Sequence, residues 1–410
     1  MKIPLLGGIV NPYRGFRAFP RPRRFENPSE SPYFHIMKYV DEFKNPLAAK
    51  SLAADIRALA ARLPSGRAVK IMEVCGSHTM AIARYALRDF LPENVLLTSG
   101  PGCPVCVTDS GYIDAALELA ARPDVTLGTF GDMMRVPGGP MGNGKRRSLS
   151  SARAEGADVR VCYSPAMALE AAVENPAKEV VFLAIGFETT AAPIAATLDE
   201  AVERGIGNFS LLTAFKLVPP ALEALASDPE TAIDAFLCPA HVSAIIGSDA
   251  YKPFVEKHHL PCVVAGFEPL DILFGIKKIL EQVVAGSAFV DNQYARVVRP
   301  AGNPLAWQLV NRYFEVLDAP WRGIGVIAGS GMGARAEFAE FDTERKLKVD
   351  VKPGKPDPRC KCGEVLKGKI QPAQCPMFAK ACVPSNPIGP CMVSSEGACA
   401  AQYKYSRRRS

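Results

Sequence analysis

From Tyr39 onward the chain alternates short, continuous apolar runs with stretches of helical spacing. Asn45-Pro46 gives an N-cap followed by a proline at the first helical position, and Leu52, Ile56, Leu59 and Leu63 then recur at helical intervals. Apolar runs follow at 68–74, 95–98, 125–129 and 159–163, each ending in glycine or a small polar residue, with helical stretches such as 112–121 and 165–173 between them. The alternation repeats with runs at 180–185, 209–214, 235–237 and 262–265, the first three joined by helices at 193–204 and 219–226. Continuous apolar runs separated by helices predict parallel sheet buried on both faces. The expected fold class is therefore α/β, with two similar open parallel-sheet domains at 37–175 and 176–290. A helix at 270–284 closes the second domain. Within 291–410, a helix at 304–317 and a strand at 323–328 lead into a cysteine-rich region at about 355–400 with no strong periodicity.

Composition narrows the function. The chain has 410 residues, 48% apolar and 22% charged, close to a globular average. No uninterrupted apolar run approaches the ~20 residues of a membrane span, and no apolar h-region is seen near the N-terminus, which points to a cytoplasmic location. The net charge of +6 misleads, because basic residues concentrate at the two ends. Residues 1–36, with Lys2, Arg14, Arg17, Arg21, Arg23 and Arg24 against Glu26 and Glu30, read as a disordered basic extension. Lys404 and Arg407–Arg409 add a second basic end. The body between them is slightly acidic and offers no electrostatic case for nucleic acid. Twelve cysteines are too sparse for a disulfide scaffold and generous for a cytosolic enzyme, where thiols usually signal metal or redox chemistry.

Three groups carry that chemistry. Ligands of open parallel sheets sit beyond the carboxyl ends of strands, and unusual residues gather there: Glu73 to His78, Gly100 to Cys106, Gly131-Asp132, Gly186 to Thr190, Pro239-Ala240-His241 and Gly266 to Pro269. Cys75-Gly76-Ser77-His78 pairs a thiol with an imidazole, as metal ligands, as nucleophile and base, or as a buried thiol beside a capping histidine. Cys103-Pro104-Val105-Cys106 ahead of a helix has the arrangement of a dithiol redox site, with zinc and plain structural thiols as rivals. The tail holds Cys360, Cys362, Cys375, Cys382, Cys391 and Cys399, whose spacing fits zinc knuckles poorly and suits a [4Fe-4S] cluster plus a spare pair. Cys162, Cys238 and Cys262 read as buried hydrophobes. Glu188 and Glu268 could orient a metal ligand, bind an amine or cap a helix. Gly186 opens no dinucleotide fingerprint, and Gly329–Gly333 lacks the P-loop lysine.

Together these motifs resemble the HypD family of [NiFe]-hydrogenase maturation factors. The stretches that carry the resemblance are Ile71 to Gly76, Leu91 to Val95, Gly100 to Val107, Thr129 to Gly138, Gly186 to Thr190, Val263 to Asp271 and Met392 to Tyr405. It extends from about Met37 to the end of the chain. The resemblance implies a scaffold, monomeric when alone, that joins a HypC-like chaperone and holds iron while two cyanides and one carbon monoxide are attached. A HypE-like protein would donate the cyanide. Cys75 would be the iron-binding thiolate and His78 its neighbour. Cys103 and Cys106 would be a dithiol facing the same cleft. Cys362, Cys375, Cys382 and Cys399 would hold the [4Fe-4S] cluster, leaving Cys360 and Cys391 as a redox-active pair, although Cys360 and Cys362 could exchange roles. Glu188 or Asp132 could orient His78 or the incoming group. The chain departs from the family's usual Cys-Gly-Gly-His-Thr-His, since Met80 stands in place of the second histidine. Two other readings remain: a stand-alone cluster-dependent dithiol/disulfide oxidoreductase and a zinc-stabilised α/β binding module.

Overall fold

The helix Pro46–Ala60 opens the folded body as its sequence predicts. Asn45 caps it, accepting the Leu47 and Ala48 amides at 2.9 and 3.4 Å, and Ala49, Ala53, Ile56 and Ala60 form one buried stripe. That stripe packs on the helix Pro269–Ala285. The computed structural model describes residues 41–140 and 146–406, of which Phe43 onward forms one compact unit. The basic extension expected at 1–36 and the arginines at 407–409 lie outside the described residues.

Among the described residues, nine strands form two parallel sheets. The first, in the order β2-β1-β7-β8-β9, comprises β1 (Val69–Glu73), β2 (Val95–Ser99), β7 (Ala235–Pro239), β8 (Cys262–Ala265) and β9 (Val290–Asn292). The second, β4-β3-β5-β6, comprises β3 (Val125–Thr129), β4 (Val159–Val161), β5 (Glu179–Gly186) and β6 (Phe209–Phe215). A two-stranded antiparallel ribbon, β10 (Phe314–Trp321) with β11 (Gly325–Ala334), precedes the tail. The α/β class and parallel sheets agree with the reading of the apolar runs.

The sheets do not divide where residues 175 and 176 meet. That boundary falls between β4 and β5, which belong to one sheet and are separated only by β3. The chain starts the first sheet, leaves after β2 to build the whole second sheet, and returns at β7 beside β1. Apolar runs show that a strand is buried on both faces but not which strand lies beside it. The assumption that sequential strands are neighbours fails here at the step from β2 to β3. The helix expected at 193–204 starts earlier, spanning Glu188–Glu203 with Pro193 inside it. The one expected at 304–317 stops at Tyr313, where the chain turns into β10.

This interleaving creates two points where strand order reverses. One lies between β1 and β7, the other between β3 and β5. Such switch points open a crevice beyond the carboxyl ends of the strands. Here they carry Cys75 and His241 in one sheet and Asp132 and Glu188 in the other.

Candidate functional site: a thiol loop, a dithiol loop and a cysteine-lined cavity

Beyond β1 the chain turns directly into the helix Gly76–Arg84, with Cys75 as its extended N-cap residue. The Ser77 and His78 amides point at the Cys75 sulfur. Burial nevertheless dominates, and with the Glu396 and Glu73 carboxyls nearby it pushes the thiol up to about 12. Glu73 lies fully buried beneath this turn. Its Oε2 accepts the Cys75 amide at 3.1 Å and its Oε1 the Thr79 hydroxyl at 2.5 Å, while burial raises its carboxyl to about 7. His78 is fully buried, with Nε2 at 2.9 Å from the Gly266 carbonyl and 3.1 Å from the Ala265 carbonyl. Carbonyls only accept, so Nε2 carries the proton. Nδ1 is left as a buried lone pair without a partner, and burial pushes the ring down to about 4. A neutral imidazole with one nitrogen anchored and the other bare is the form that ligates metal. Phe267 lies between His78 and His241, with ring centroids at 4.9 and 4.1 Å.

The Gly100–Cys106 loop leaves β2, the neighbour of β1, and lies on the Cys75 turn. The Gly100 amide donates to the Glu73 carbonyl at 2.7 Å and the Gly76 amide to the Gly102 carbonyl at 2.8 Å. A side chain at Gly102 would run into the backbone of Cys75. Glycine is needed there for that close approach. Gly102→Ala is expected to cost about 1–3 kcal/mol by overpacking, read as a lower thermal midpoint, and to separate the two loops. Cys103 caps the short helix Pro104–Val107 and is disulfide-bonded to Cys106, with Cα atoms 5.2 Å apart. Both are buried, at 3% and 0% exposure.

Across the switch point of the second sheet, Glu188 begins the helix Glu188–Glu203. Its Oε1 accepts the amide of Val218, first residue of the next helix, at 2.9 Å, and Oε2 is buried without a partner. Glu188 thus holds a helix start while keeping one oxygen free. Burial raises its carboxyl to about 7 from the usual 4.5. The neutral form is favoured in the fold, so stability is highest below the unfolded value and falls as pH rises through the folded one. By pH 8 the charged form costs roughly 3 kcal/mol. Glu188→Gln escapes that cost, so its thermal midpoint should gain a few °C on wild type between pH 5 and pH 8. Glu268 occupies an N-cap position and pairs with Lys44 at 3.7 Å. Burial also raises the Asp132 carboxyl. Cys162, Cys238 and Cys262 are buried in or beside strands.

The tail wraps six cysteines around one partly enclosed cavity: Cys360, Cys362, Cys375, Cys382, Cys391 and Cys399. The walls between them are mostly apolar, with Met377, Phe378 and Ile388, and no carboxylate lines the cavity. The Ile388 amide donates to the Cys382 sulfur at 3.4 Å. Thiolate donors, apolar walls and N–H···S bonds are what an iron–sulfur cluster requires. Among the described residues no three His, Cys, Asp or Glu side chains converge as the ligands of one ion would. A cluster places each cysteine on a different iron, so its ligands need no such convergence. Cys360 and Cys362 both border Gly389 and interact with each other, and Cys362 also with Cys391.

The tail is also docked on both loops, a relation that spacing alone did not reveal. The Ser77 hydroxyl donates to Glu396 at 2.9 Å, and Glu396 packs so closely on Gly76 that a side chain there would collide with it. The terminal helix Ala398–Ser406 packs on Gly76–Arg84, and the turn Pro390–Met392 on Pro104–Val107. Glu396 and Glu73 therefore belong to the Cys75 surroundings, a role that the stretches containing them did not assign to either carboxylate.

With this arrangement in view, the comparisons with known proteins are decisive. The profile of the family described as "HypD: Hydrogenase formation hypA family" matches residues 48–406. The hydrogenase maturation factor HypD of Azotobacter vinelandii is 47% identical over 379 residues, covering 91% of this chain and 98% of that protein. The Escherichia coli K12 factor of the same name is 46% identical over 377 residues, covering 91% of this chain and 100% of its own. A putative hydrogenase expression/formation protein of Methanocaldococcus jannaschii is 44% identical over 339 residues, or 83% of this chain and 92% of that protein. The chain belongs to the HypD family. It is thus a hydrogenase maturation factor by family.

Within the HypD frame, Met80 has a simple structural consequence. It lies two residues beyond His78 in the helix Gly76–Arg84, and residues two apart on a helix do not face each other. Position 80 is therefore turned away from the ring of His78. No helix among the described residues is long and apolar enough to cross a membrane.

Proposed function

We propose that this chain is a HypD-type scaffold that, with a HypC-like chaperone, holds an iron while the Fe(CN)2CO group of [NiFe]-hydrogenase is assembled. A HypE-like protein supplies the cyanide. The observation that carries this reading is the backbone contact of Gly102 with Cys75, which seats a redox-capable disulfide directly on the turn that carries a buried thiol, three residues before a histidine whose Nδ1 is buried and bare.

Iron is the cargo. Cys75 supplies a soft thiolate, releasing its proton as the metal arrives, and neutral His78 offers a nitrogen without a proton cost. Glu73 holds the Cys75 amide and fixes the turn. Cys103–Cys106 takes up two electrons and two protons to become a dithiol, which stores reducing equivalents beside the iron. Cys362, Cys375, Cys382 and Cys399 would hold a [4Fe-4S] cluster, with Cys360 and Cys391 as a further thiol pair. When bound, such a cluster supplies single electrons. Cytoplasmic operation fits these thiols.

A stand-alone dithiol/disulfide oxidoreductase is less well supported. Thiol exchange needs sulfur-to-sulfur contact with substrate, and both Cys103 and Cys106 are buried. Metal analysis of anaerobically purified protein tests the tail: iron and sulfide in about equal amounts are expected. Zinc alone, without sulfide, would remove the cluster from the account.

A further inference from the structure

Arg322 is a buried cation to which neither the Cys75 site nor the dithiol chemistry assigns a task. It follows Trp321 where β10 ends and is 5% exposed. Its backbone amide donates to the Val107 carbonyl at 2.8 Å, and its Nε to the Thr108 carbonyl at 2.8 Å. Those carbonyls close the helix Pro104–Val107 that carries the dithiol. Its Nη2 is buried and has no partner.

The same turn rests on the cysteine-rich tail. Gly323, at φ +75°, packs backbone to backbone on Gly363 in the helix Cys362–Leu366, where a side chain would collide. That contact sets Arg322 beside the residue that follows Cys362, whose side chain lines the cavity, and brings the guanidinium within electrostatic range of Cys360, Cys362 and Cys391. Arg146, which also acts on Cys360 and Cys382, is occupied differently: it pairs with Asp357 and donates to the Ile388 carbonyl at 3.1 Å. Arg322 has no carboxylate partner among the described salt bridges. A buried guanidinium cannot shed its charge, and an unmatched buried donor is costly. The charge and the free donor call for an anion that the protein chain itself does not provide.

We propose that Arg322 is a positioning residue that clasps the Cys103–Cys106 segment to the cysteine-lined cavity and turns its free Nη2 toward the anionic iron–sulfur group held there. The clasp stands on the hydrogen bonds alone, whereas the role toward the cluster rests on the cluster reading above. Four thiolates make the bound group anionic. A buried cation beside it stabilises the more negative, reduced form and raises its reduction potential. Lysine would keep the charge but lose the planar fork that holds Thr108 through one nitrogen while leaving another free.

The test uses the full chain, purified anaerobically, as wild type, Arg322→Met and Arg322→Lys. Two readouts are needed: the cluster's midpoint potential, followed spectroscopically at known iron and sulfide content, and amide hydrogen exchange at 103–108 in metal-free protein. Arg322→Met should keep its iron and sulfide, shift the potential to more negative values and speed exchange about tenfold, as losing a buried charged hydrogen bond implies. Arg322→Lys should speed exchange similarly but leave the potential nearer wild type. Wild-type exchange in both variants overturns the clasp. An unchanged potential in Arg322→Met with full cluster content overturns the role toward the cluster. If Arg322→Met does not fold, wild-type exchange in Arg322→Lys overturns the clasp by itself. If the wild-type chain binds no cluster, the cluster reading fails, and the exchange comparison still decides the clasp.

Discussion

Cys75→Ala is expected to abolish assembly of the iron–cyanide group while leaving the iron and sulfide of the tail at wild-type levels. In the proposed role the sulfur of Cys75 is the soft donor at the β1/β7 switch point, and alanine offers no ligand in its place. Its removal should be tolerated by the fold. Turn geometry is held by Glu73 through the Cys75 amide and the Thr79 hydroxyl, and by Gly102 through the Gly76 amide, none of which uses the thiol. The tail contacts this turn through Ser77 and Glu396, so its cysteines keep their places. Quantifying iron and sulfide beside an assay of hydrogenase maturation checks both halves. If Cys75→Ala lost the tail iron as well, the two sites would not be separate, and the division of the cysteines made here would be wrong.

Cys103→Ala should have an equally large effect on maturation by a different route. It removes the Cys103–Cys106 disulfide, and with it the local capacity to take up two electrons and two protons. Iron and sulfide should again remain, because neither cysteine lines the tail cavity. Cys382→Ala provides the contrast. Its sulfur lies in that cavity and accepts the Ile388 amide, so iron and sulfide content should fall sharply. Loss of tail iron in Cys103→Ala would mean that the dithiol loop ligates the cluster.

How far the sequence could be read depends on burial. Most of the strands β1 to β8 are legible because they are runs of largely apolar residues covered on both faces, the half-buried β4 being the exception, and the glycines and polar residues at their ends mark the loops where Cys75, Cys103 and Glu188 stand. β9 and β10 carry no such signal. Val290–Asn292 is a half-buried edge strand, and in Phe314–Trp321 five of eight residues are exposed. Trp307, Val310, Phe314 and Leu317 also continue a helical interval past the true end of the helix. The break comes because Phe314 turns extended and packs its ring 5.0 Å from Phe215.

Sheet membership was hidden for a different reason. The excursion from β2 through the second sheet and back to β7 is decided by long-range pairing, which leaves no local trace. The same holds within the site. Cys-x-x-His and Cys-x-x-Cys are visible as spacing, but Glu73, Glu396 and Arg322 act through contacts made by folding. Arg322 lies 214 residues from the Thr108 carbonyl that it holds, and Glu396 lies 319 from Ser77. The cysteine-rich tail could be recognised as a unit, whereas its seat on both loops could not.

The central claim is that this chain holds an iron carrying cyanide and carbon monoxide beside Cys75. Infrared spectroscopy of the wild-type chain co-purified with its small HypC-like partner tests it most directly, with Cys75→Ala and the partner alone as references. Cyanide and carbonyl stretching bands are expected in the wild-type complex and should be missing from the Cys75→Ala complex. A wild-type complex without such bands, or bands of equal strength in Cys75→Ala, would contradict the account.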